Sequence, residues 1–555
     1  MFTTRTVRFA AAAASLALAA CGQDGPDFAT MVVTDIRVWT GDSERPWAES
    51  VAVSDDRIVA VGTSEDIAAL IGPDTEVLTA DGGMLVPGFI DTHVHFVYGG
   101  AGLASVQLRD AATPEEFTRR IGEYAEDLAP GEWILNGTWD HEMWGGELPT
   151  RDWIDAVTPD NPVWVNRLDG HMGLANSLAL EAAGVDADTP DIAGGEIIRD
   201  ENGRPTGVLK DNAMYAVEDA VPAAGEDLLD RQVRAAMRHV ASNGVTTVHD
   251  MQDWTSLATY RRLHANGELI TRIYSVVPLA EWELLRDDVA ENGIGDEWLR
   301  TGGLKGFMDG SLGSHTAFFF DPFTDAPDDS GFMINELEDM RRWVIDADAA
   351  GLHVNVHAIG DRSIAELLDI YLDAAEANGE RDRRFRIEHA QHIRPSDIER
   401  FAVQGVIASM QPYHAIDDGR WAERVIGPMR IQTTYAFRSL LDSGAHVAFG
   451  SDWSVAPATP LEGIYAAVTR RTIDGANPGG WVPEQKITVD EALRAYTAEG
   501  AYASFEEDLK GTIREGMLAD LVLLDRDITA IEPETIPETR VLATIVGGRI
   551  VHDGR

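Results

Sequence analysis

Apolar and polar positions alternate with a strand-like period of two over residues 31–61. The runs are Val32-Val33, Ile36-Arg37-Val38-Trp39, Val51-Ala52-Val53 and Ile58-Val59-Ala60-Val61, parted by turn residues such as Gly41-Asp42-Ser43 and Ser54-Asp55-Asp56. The far end of the chain reads alike, with Asp520-Leu521-Val522-Leu523-Leu524, Thr544-Ile545-Val546 and Arg549-Ile550-Val551. Between these ends, short β-branched apolar runs finish in polar groups at 85–95, 244–250, 272–277, 304–309, 353–357, 386–389, 406–411 and 447–452. Helix-like stretches, such as 337–349 and 364–377, fall between most of them. The pattern predicts an α/β chain: a (β/α)8 TIM-like barrel over 85–508 and a small β-sandwich domain built from both ends, 31–84 and 509–555. Such barrels carry their chemistry at the C-terminal ends of the strands.

One interval breaks the rhythm. The gap between the first and second runs is several times an ordinary crossover. It holds Trp133, Trp139, Trp144, Trp153 and Trp164, and a Gly-rich, hairpin-like stretch near 194–209. Residues 97–235 are therefore expected to contain an inserted subdomain over the barrel mouth, with the tryptophans packing rather than stacking on substrate.

Residues 1–21 read as a targeting segment. Arg5 and Arg8 precede an apolar stretch, 9–20, that ends in Leu18-Ala19-Ala20-Cys21-Gly22. At ~1.5 Å per residue this stretch covers about 18 Å as a helix, too short for a stable membrane span. The small residues before Cys21 resemble a bacterial lipobox. That implies cleavage before Cys21 and a lipid on its thiol and new N-terminus; a plain secretory signal with an incidental cysteine is the other reading. Residues 22–30 form a polar tether. The expected location is the periplasmic side of a bacterial membrane, and Gly22, not being Asp, favours the outer membrane in a Gram-negative host.

With 44% hydrophobic residues among 555, the chain can build a packed core. Its 93 acidic against 45 basic residues, a formal charge of -48, exclude nucleic acid as an expected partner. The excess serves a solubilising surface or the steering of cationic substrates. The single cysteine removes any intrachain disulfide and any cysteine-cluster metal site.

Candidate chemistry lies where the apolar runs end. His93 and His95 are two apart, so both imidazoles face one side of a strand. Lys305, His357, His389 and Asp452 stand near the ends of the fourth, fifth, sixth and eighth runs. Singly, each has an ordinary reading: a structural histidine, a surface lysine, a helix-capping aspartate. Together and in order they point to a metal centre.

The matching stretches are Val86-Pro87-Gly88-Phe89-Ile90-Asp91-Thr92-His93-Val94-His95, Leu304-Lys305-Gly306-Phe307-Met308-Asp309-Gly310-Ser311-Leu312, Asn355-Val356-His357-Ala358-Ile359-Gly360-Asp361, Arg386-Ile387-Glu388-His389-Ala390, Gly450-Ser451-Asp452 and Gly516-Met517-Leu518-Ala519-Asp520-Leu521-Val522. Across nearly everything after the tether, the sequence resembles the amidohydrolase superfamily, in the branch called amidohydrolase 3 or YtcJ-like, which includes N-substituted formamide deformylase. The resemblance implies two divalent metal ions, with zinc suited to the ligands and iron, manganese or nickel left open. His93, His95 and Asp452 would hold one ion, His357 and His389 the second, and Lys305 would bridge them as a carbamate formed with carbon dioxide. It implies hydrolysis of an amide or other non-peptide C–N bond of a small molecule. Metal-bound hydroxide attacks, and Asp452 is the general base and then the general acid.

Asp169-Gly170-His171 also resembles a branch motif, so His171 is a candidate for substrate binding, as is His414 after the seventh run. His249 and His353 read as structural. The same centre could act on a lactone, phosphotriester or dipeptide. A non-catalytic binding lipoprotein is the reading from a different class, and its signature, a missing ligand, is not found. A homodimer is compatible with the sequence. The membrane enters as a partner only through the lipid on Cys21.

Overall fold

The apolar runs of the middle segment form eight parallel strands. They are β1 (Phe89–Val94), β2 (Val245–Met251), β3 (Arg272–Pro278), β4 (Leu299–Phe307), β5 (His353–Ala358), β6 (Arg386–His389), β7 (Ile407–Met410) and β8 (Val447–Phe449). The computed structural model describes residues 28–555, so Cys21 and the targeting segment lie outside the described residues. Each barrel strand pairs in parallel with the next. The ring closes just beyond the strand ends, where Val94 bridges Trp453 and the Asp452 N–H donates to the His93 carbonyl at 2.7 Å. Two expected site residues thus make the seam. Gly450 serves this approach, because a Cβ there would lie 2.6 Å from the His93 nitrogen.

The flanking helices follow from period-3.6 patterning. In Leu337–Ala349 the residues Met340, Val344 and Ala347 are buried, and in Asp361–Asn378 so are Ile364, Leu367, Leu368 and Tyr371. Each large apolar side chain so buried contributes about 1.5–3 kcal/mol. The barrel interior, by contrast, is partly polar, with Thr92, Thr247, His249, Asn355, Arg386, Glu388 and Ser409 all buried.

The run expected as one strand from 85 to 95 divides at Gly88. Met84–Pro87 belongs to a six-stranded sheet, pairing with Arg37–Trp39 on one side and Leu521–Leu524 on the other. Gly88 is the crossing point, where a Cβ would come within 2.2 Å of the Thr246 hydroxyl. This sheet draws strands from both ends of the chain. It packs on a four-stranded sheet of Met31–Val33, Ser50–Ser54, Arg57–Gly62 and Glu76–Leu78. Val33, Val51 and Val53 from one sheet and Leu85, Leu521 and Ile545 from the other share one core, so the pair is a β-sandwich.

Between β1 and β2 the chain builds a five-stranded sheet. Its order is Gly195–Arg199, Pro205–Asp211, Met172–Ala175, Val163–Arg167 and Ile134–Trp139. Trp139 is fully buried, edge-on to Phe117, and Trp144 and Trp153 pack around that ring. Trp164 lies against Gly173. These tryptophans are core. Among the described residues, no helix is long and apolar enough to cross a membrane.

Candidate active site

The strand ends converge. His93 lies within β1, and His95 is the residue before the helix Phe96–Gly102, with 5.6 Å between the ring centroids. Asp452, beyond β8, puts Oδ1 3.6 Å from His93 Nε2 and 3.3 Å from His95 Nε2. Lys305 on β4 brings Nζ to 3.3 Å from the same His93 nitrogen. The His389 ring is 4.8 Å from that of His93 and 4.5 Å from that of His357. All six residues expected at the metals therefore face one space.

Local structure aims each side chain. His389 and Asp452 have φ of 72° and 59°, left-handed values that side chains other than glycine rarely adopt. Asp91 holds the Asp452 turn, accepting from the Ser451 N–H at 2.8 Å and the Ser451 hydroxyl at 2.5 Å. Asp309 accepts from the N–H groups of Phe318, Ile359 and Gly360 at 2.8, 3.0 and 2.8 Å. This fixes the loop after β4 against the end of β5. The loop in turn presents the Gly310 carbonyl, which accepts His357 Nε2–H at 3.0 Å. The His389 Nδ1–H donates to Gln411 Oε1 at 2.8 Å, and the Gln252 amide lies 3.1 Å from His95 Nδ1. His357 and His389 are thus tethered through one N–H and offer the other nitrogen, while His95 meets the Gln252 amide nitrogen through Nδ1.

The electrostatics suit a cation. Burial holds His93, His357 and His389 well below the usual imidazole range, so they are neutral donors. Burial raises the Asp452 carboxyl, but His93 and His95 outweigh that effect and hold it at about 2. Burial pushes Lys305 down to about 8. Asp452 Oδ1 is buried without a hydrogen-bond partner while two imidazole nitrogens face it. Lone pairs gathered in this way repel one another unless a cation lies among them, so the donor set fits divalent metal. His93, His95 and Asp452 form one group with donor atoms within 4.8 Å of one another, and His389, His414 and Asp452 a second.

The chain also belongs to a known group. The sequence pattern of Amidohydro_3, the amidohydrolase family, matches residues 76–552. The chain belongs to the amidohydrolase family. It is 38% identical to the protein LONG AFTER FAR-RED 3 of Arabidopsis thaliana, over 94% of this chain and 91% of that one. It is 30% identical to N-substituted formamide deformylase of Arthrobacter pascens, over 93% and 97%. An uncharacterized metal-dependent hydrolase from Pyrococcus horikoshii OT3 superposes with a TM-score of 0.74 at 26% identity, covering 91% of this chain and 99% of that one. The protein is a hydrolase of the amidohydrolase fold.

Two further expected residues flank the centre of this amidohydrolase. His414 places Nε2, buried and unpartnered, 3.9 Å from Asp452 Oδ2. His171 comes from the insertion, its ring 4.9 Å from that of His357. Its Nδ1–H donates to Asp211 Oδ1 at 2.6 Å. Burial lowers the pKa of His171, but the hydrogen bond and charge of Asp211, with Asp169, outweigh burial and raise it. His249 and His353 stay below the site, bonded to Arg386 and to Tyr274.

Sequence reasoning missed four residues behind the donors: Glu388, Gln252, Gln411 and Asp91. Two left a signal. Asp91 is two residues before His93 on one strand face, and Arg386 and Glu388 share a face of a four-residue strand that is otherwise apolar before its final histidine. The glutamines left none beyond their place at strand ends, whereas Asp211 ends a stretch, Pro205-Thr206-Gly207-Val208-Leu209-Lys210-Asp211, that resembles the family branch.

Proposed function

We propose that the protein hydrolyses an amide or other non-peptide C–N bond of a small molecule, using two divalent cations at sites whose ligand types suit zinc. His93, His95 and Asp452 would hold one cation and His357 and His389 the other, and Lys305, as a carbamate, would serve both. The observation that carries this reading is the convergence of these six side chains, with Asp452 Oδ1 unpartnered at its centre. Bound there, the cations supply Lewis acidity to a carbonyl and make a water acidic enough to lose its proton near neutral pH.

The chain's own residues do the rest. A buried lysine held at about 8 keeps some neutral amine at pH 7, the form that adds carbon dioxide. Asp452, ionised, takes the proton of the attacking water on the carboxylate oxygen not given to the cation and returns it to the departing nitrogen. His171, held by Asp211, and His414 line the space and donate hydrogen bonds to substrate. Similarity to N-substituted formamide deformylase makes N-formyl amines the first compounds to try.

The test is a metal count on protein lacking residues 1–21, purified with bicarbonate present, beside a Lys305→Ala variant. About two ions per chain, falling sharply in the variant, is the expected result. The same protein is then given N-formyl amines, N-acyl amines and N-acyl amino acids, with lactones alongside. No metal in either protein, or turnover of lactones alone, rejects the proposal.

A further inference from the structure

The four imidazoles at the site are not backed alike. His357 donates its spare N–H to a backbone carbonyl, His389 to the amide oxygen of Gln411, and His95 contacts the amide of Gln252. Of these four, His93 alone hydrogen-bonds a carboxylate: its Nδ1–H donates to Glu388 Oε2 at 2.6 Å, whereas the Asp309 carboxylate stands 3.6 Å from His357 Nε2, beyond hydrogen-bond reach. Both side chains are fully buried. The bond reaches across the barrel from β1 to β6, between residues 295 apart in the chain.

Glu388 is itself held. Arg386 Nε lies 2.8 Å from its other oxygen, Oε1, an ion pair too oblique to count as a hydrogen bond. The guanidinium also donates to His249 Nδ1 at 2.9 Å, to the Thr92 carbonyl at 2.6 Å and to the Ser409 hydroxyl at 2.9 Å. Arg386 therefore ties β6 to β1, β2 and β7 and leaves the carboxylate one orientation. Lys305, His353 and Tyr371 also feel the charge of Glu388. A carboxylate accepts only, so the proton of His93 must sit on Nδ1. That leaves the Nε2 lone pair facing Asp452 and Lys305. A carboxylate behind an imidazole also makes it a stronger donor than an amide or carbonyl does.

We infer that Glu388 is a positioning residue that makes His93 the anchor of the centre, so that the cation at His93, His95 and Asp452 is bound more tightly than its neighbour. The inference rests on the two-cation reading above. Metal-free protein titrated with zinc chloride against a competing chelator takes up zinc in two separated steps. Glu388→Gln, nearly the same shape but neutral, weakens the first step by about 10- to 100-fold and leaves the second unchanged. Gln252→Glu, which puts a carboxylate behind His95, tightens the same first step.

A purely structural Glu388 would alter both steps or neither. A first step of wild-type strength in folded Glu388→Gln, or weakening confined to the second step, overturns the inference. Should Glu388→Gln fail to fold, Gln252→Glu decides, and no tightening there overturns it. If the wild-type protein takes up no zinc, the two-cation reading fails and this inference falls with it. Two wild-type steps with an unmoved variant sink this inference alone.

Discussion

Asp452 has two tasks that compete. Its backbone N–H closes the barrel seam onto His93, and its side chain faces both His93 and His95. Its left-handed φ of 59° costs on the order of 1–3 kcal/mol, which the Asp91–Ser451 hydrogen bonds offset. Asp452→Asn keeps the size and one oxygen but removes the proton acceptor. Turnover is expected to fall by about 10²- to 10⁴-fold, the usual worth of a positioned general base. Far-UV circular dichroism should stay as in wild type. Full activity in a folded Asp452→Asn protein would remove the residue from proton transfer. Asp452 could be picked out from sequence because it ends an apolar run in order with the histidines and Lys305. Glu388 left only a weak signal, a strand face shared with Arg386, because its role lies in a contact with His93 on a different strand, which no local pattern shows.

At the scale of elements, the inserted sheet is held to the barrel by charge. Arg167, at the end of the strand Val163–Arg167, donates to Asp169 at 2.6 Å and lies 3.4 Å from Asp140. Asp169 accepts from Ser314 at 3.1 Å and from Ser311, both on the loop after β4. Arg420, beyond β7, returns to Asp140 at 3.0 Å. This lattice fixes the turn that carries His171. Burial raises the Asp169 carboxyl, but Arg167, His171 and Ser311 outweigh it and hold it at about 2.

Because that folded value lies below the unfolded one, near 3.9, the stabilisation is complete above about pH 4 and disappears as pH falls through 2. Asp169→Ala leaves a buried arginine short of a partner, a loss on the order of 3 kcal/mol. Backbone hydrogen exchange over 134–211 should speed up at pH 7, and kcat/KM should drop about tenfold as His171 loosens. Bound metal should not change. Exchange as slow as in wild type would show that the clamp is not held here. The existence of an insertion was legible from the length of the gap after β1. How it docks was not, since the ion pairs join segments that no local pattern connects.

The whole molecule depends on how its two domains share a chain. Met84–Pro87 is a central strand of the sandwich, and β1 begins two residues later, so any shift of one domain is passed to His93. The second tie is Arg272, at the start of β3. Its Nε and Nη2 donate to Asp520 at 2.7 and 3.0 Å, and Nη1 to the Glu297 carbonyl at 2.8 Å. Asp520 also accepts the Gly547 N–H at 2.8 Å and immediately precedes the strand Leu521–Leu524. Both side chains are buried, so removing one strands the other without water.

Arg272→Ala is expected to destabilise the protein by about 3–5 kcal/mol, whereas Arg272→Met, which keeps the apolar stem, should still lose most of that amount. The loss can be read from the denaturant midpoint of the metal-loaded protein. If sandwich and barrel form one cooperative unit, the midpoint falls while a single transition remains, and bound metal is lost in that same transition. If they unfold separately, the sandwich melts first and metal stays bound through that step. The second outcome would make the sandwich an appended domain, and the shared strand boundary at Gly88 a matter of connection rather than stability.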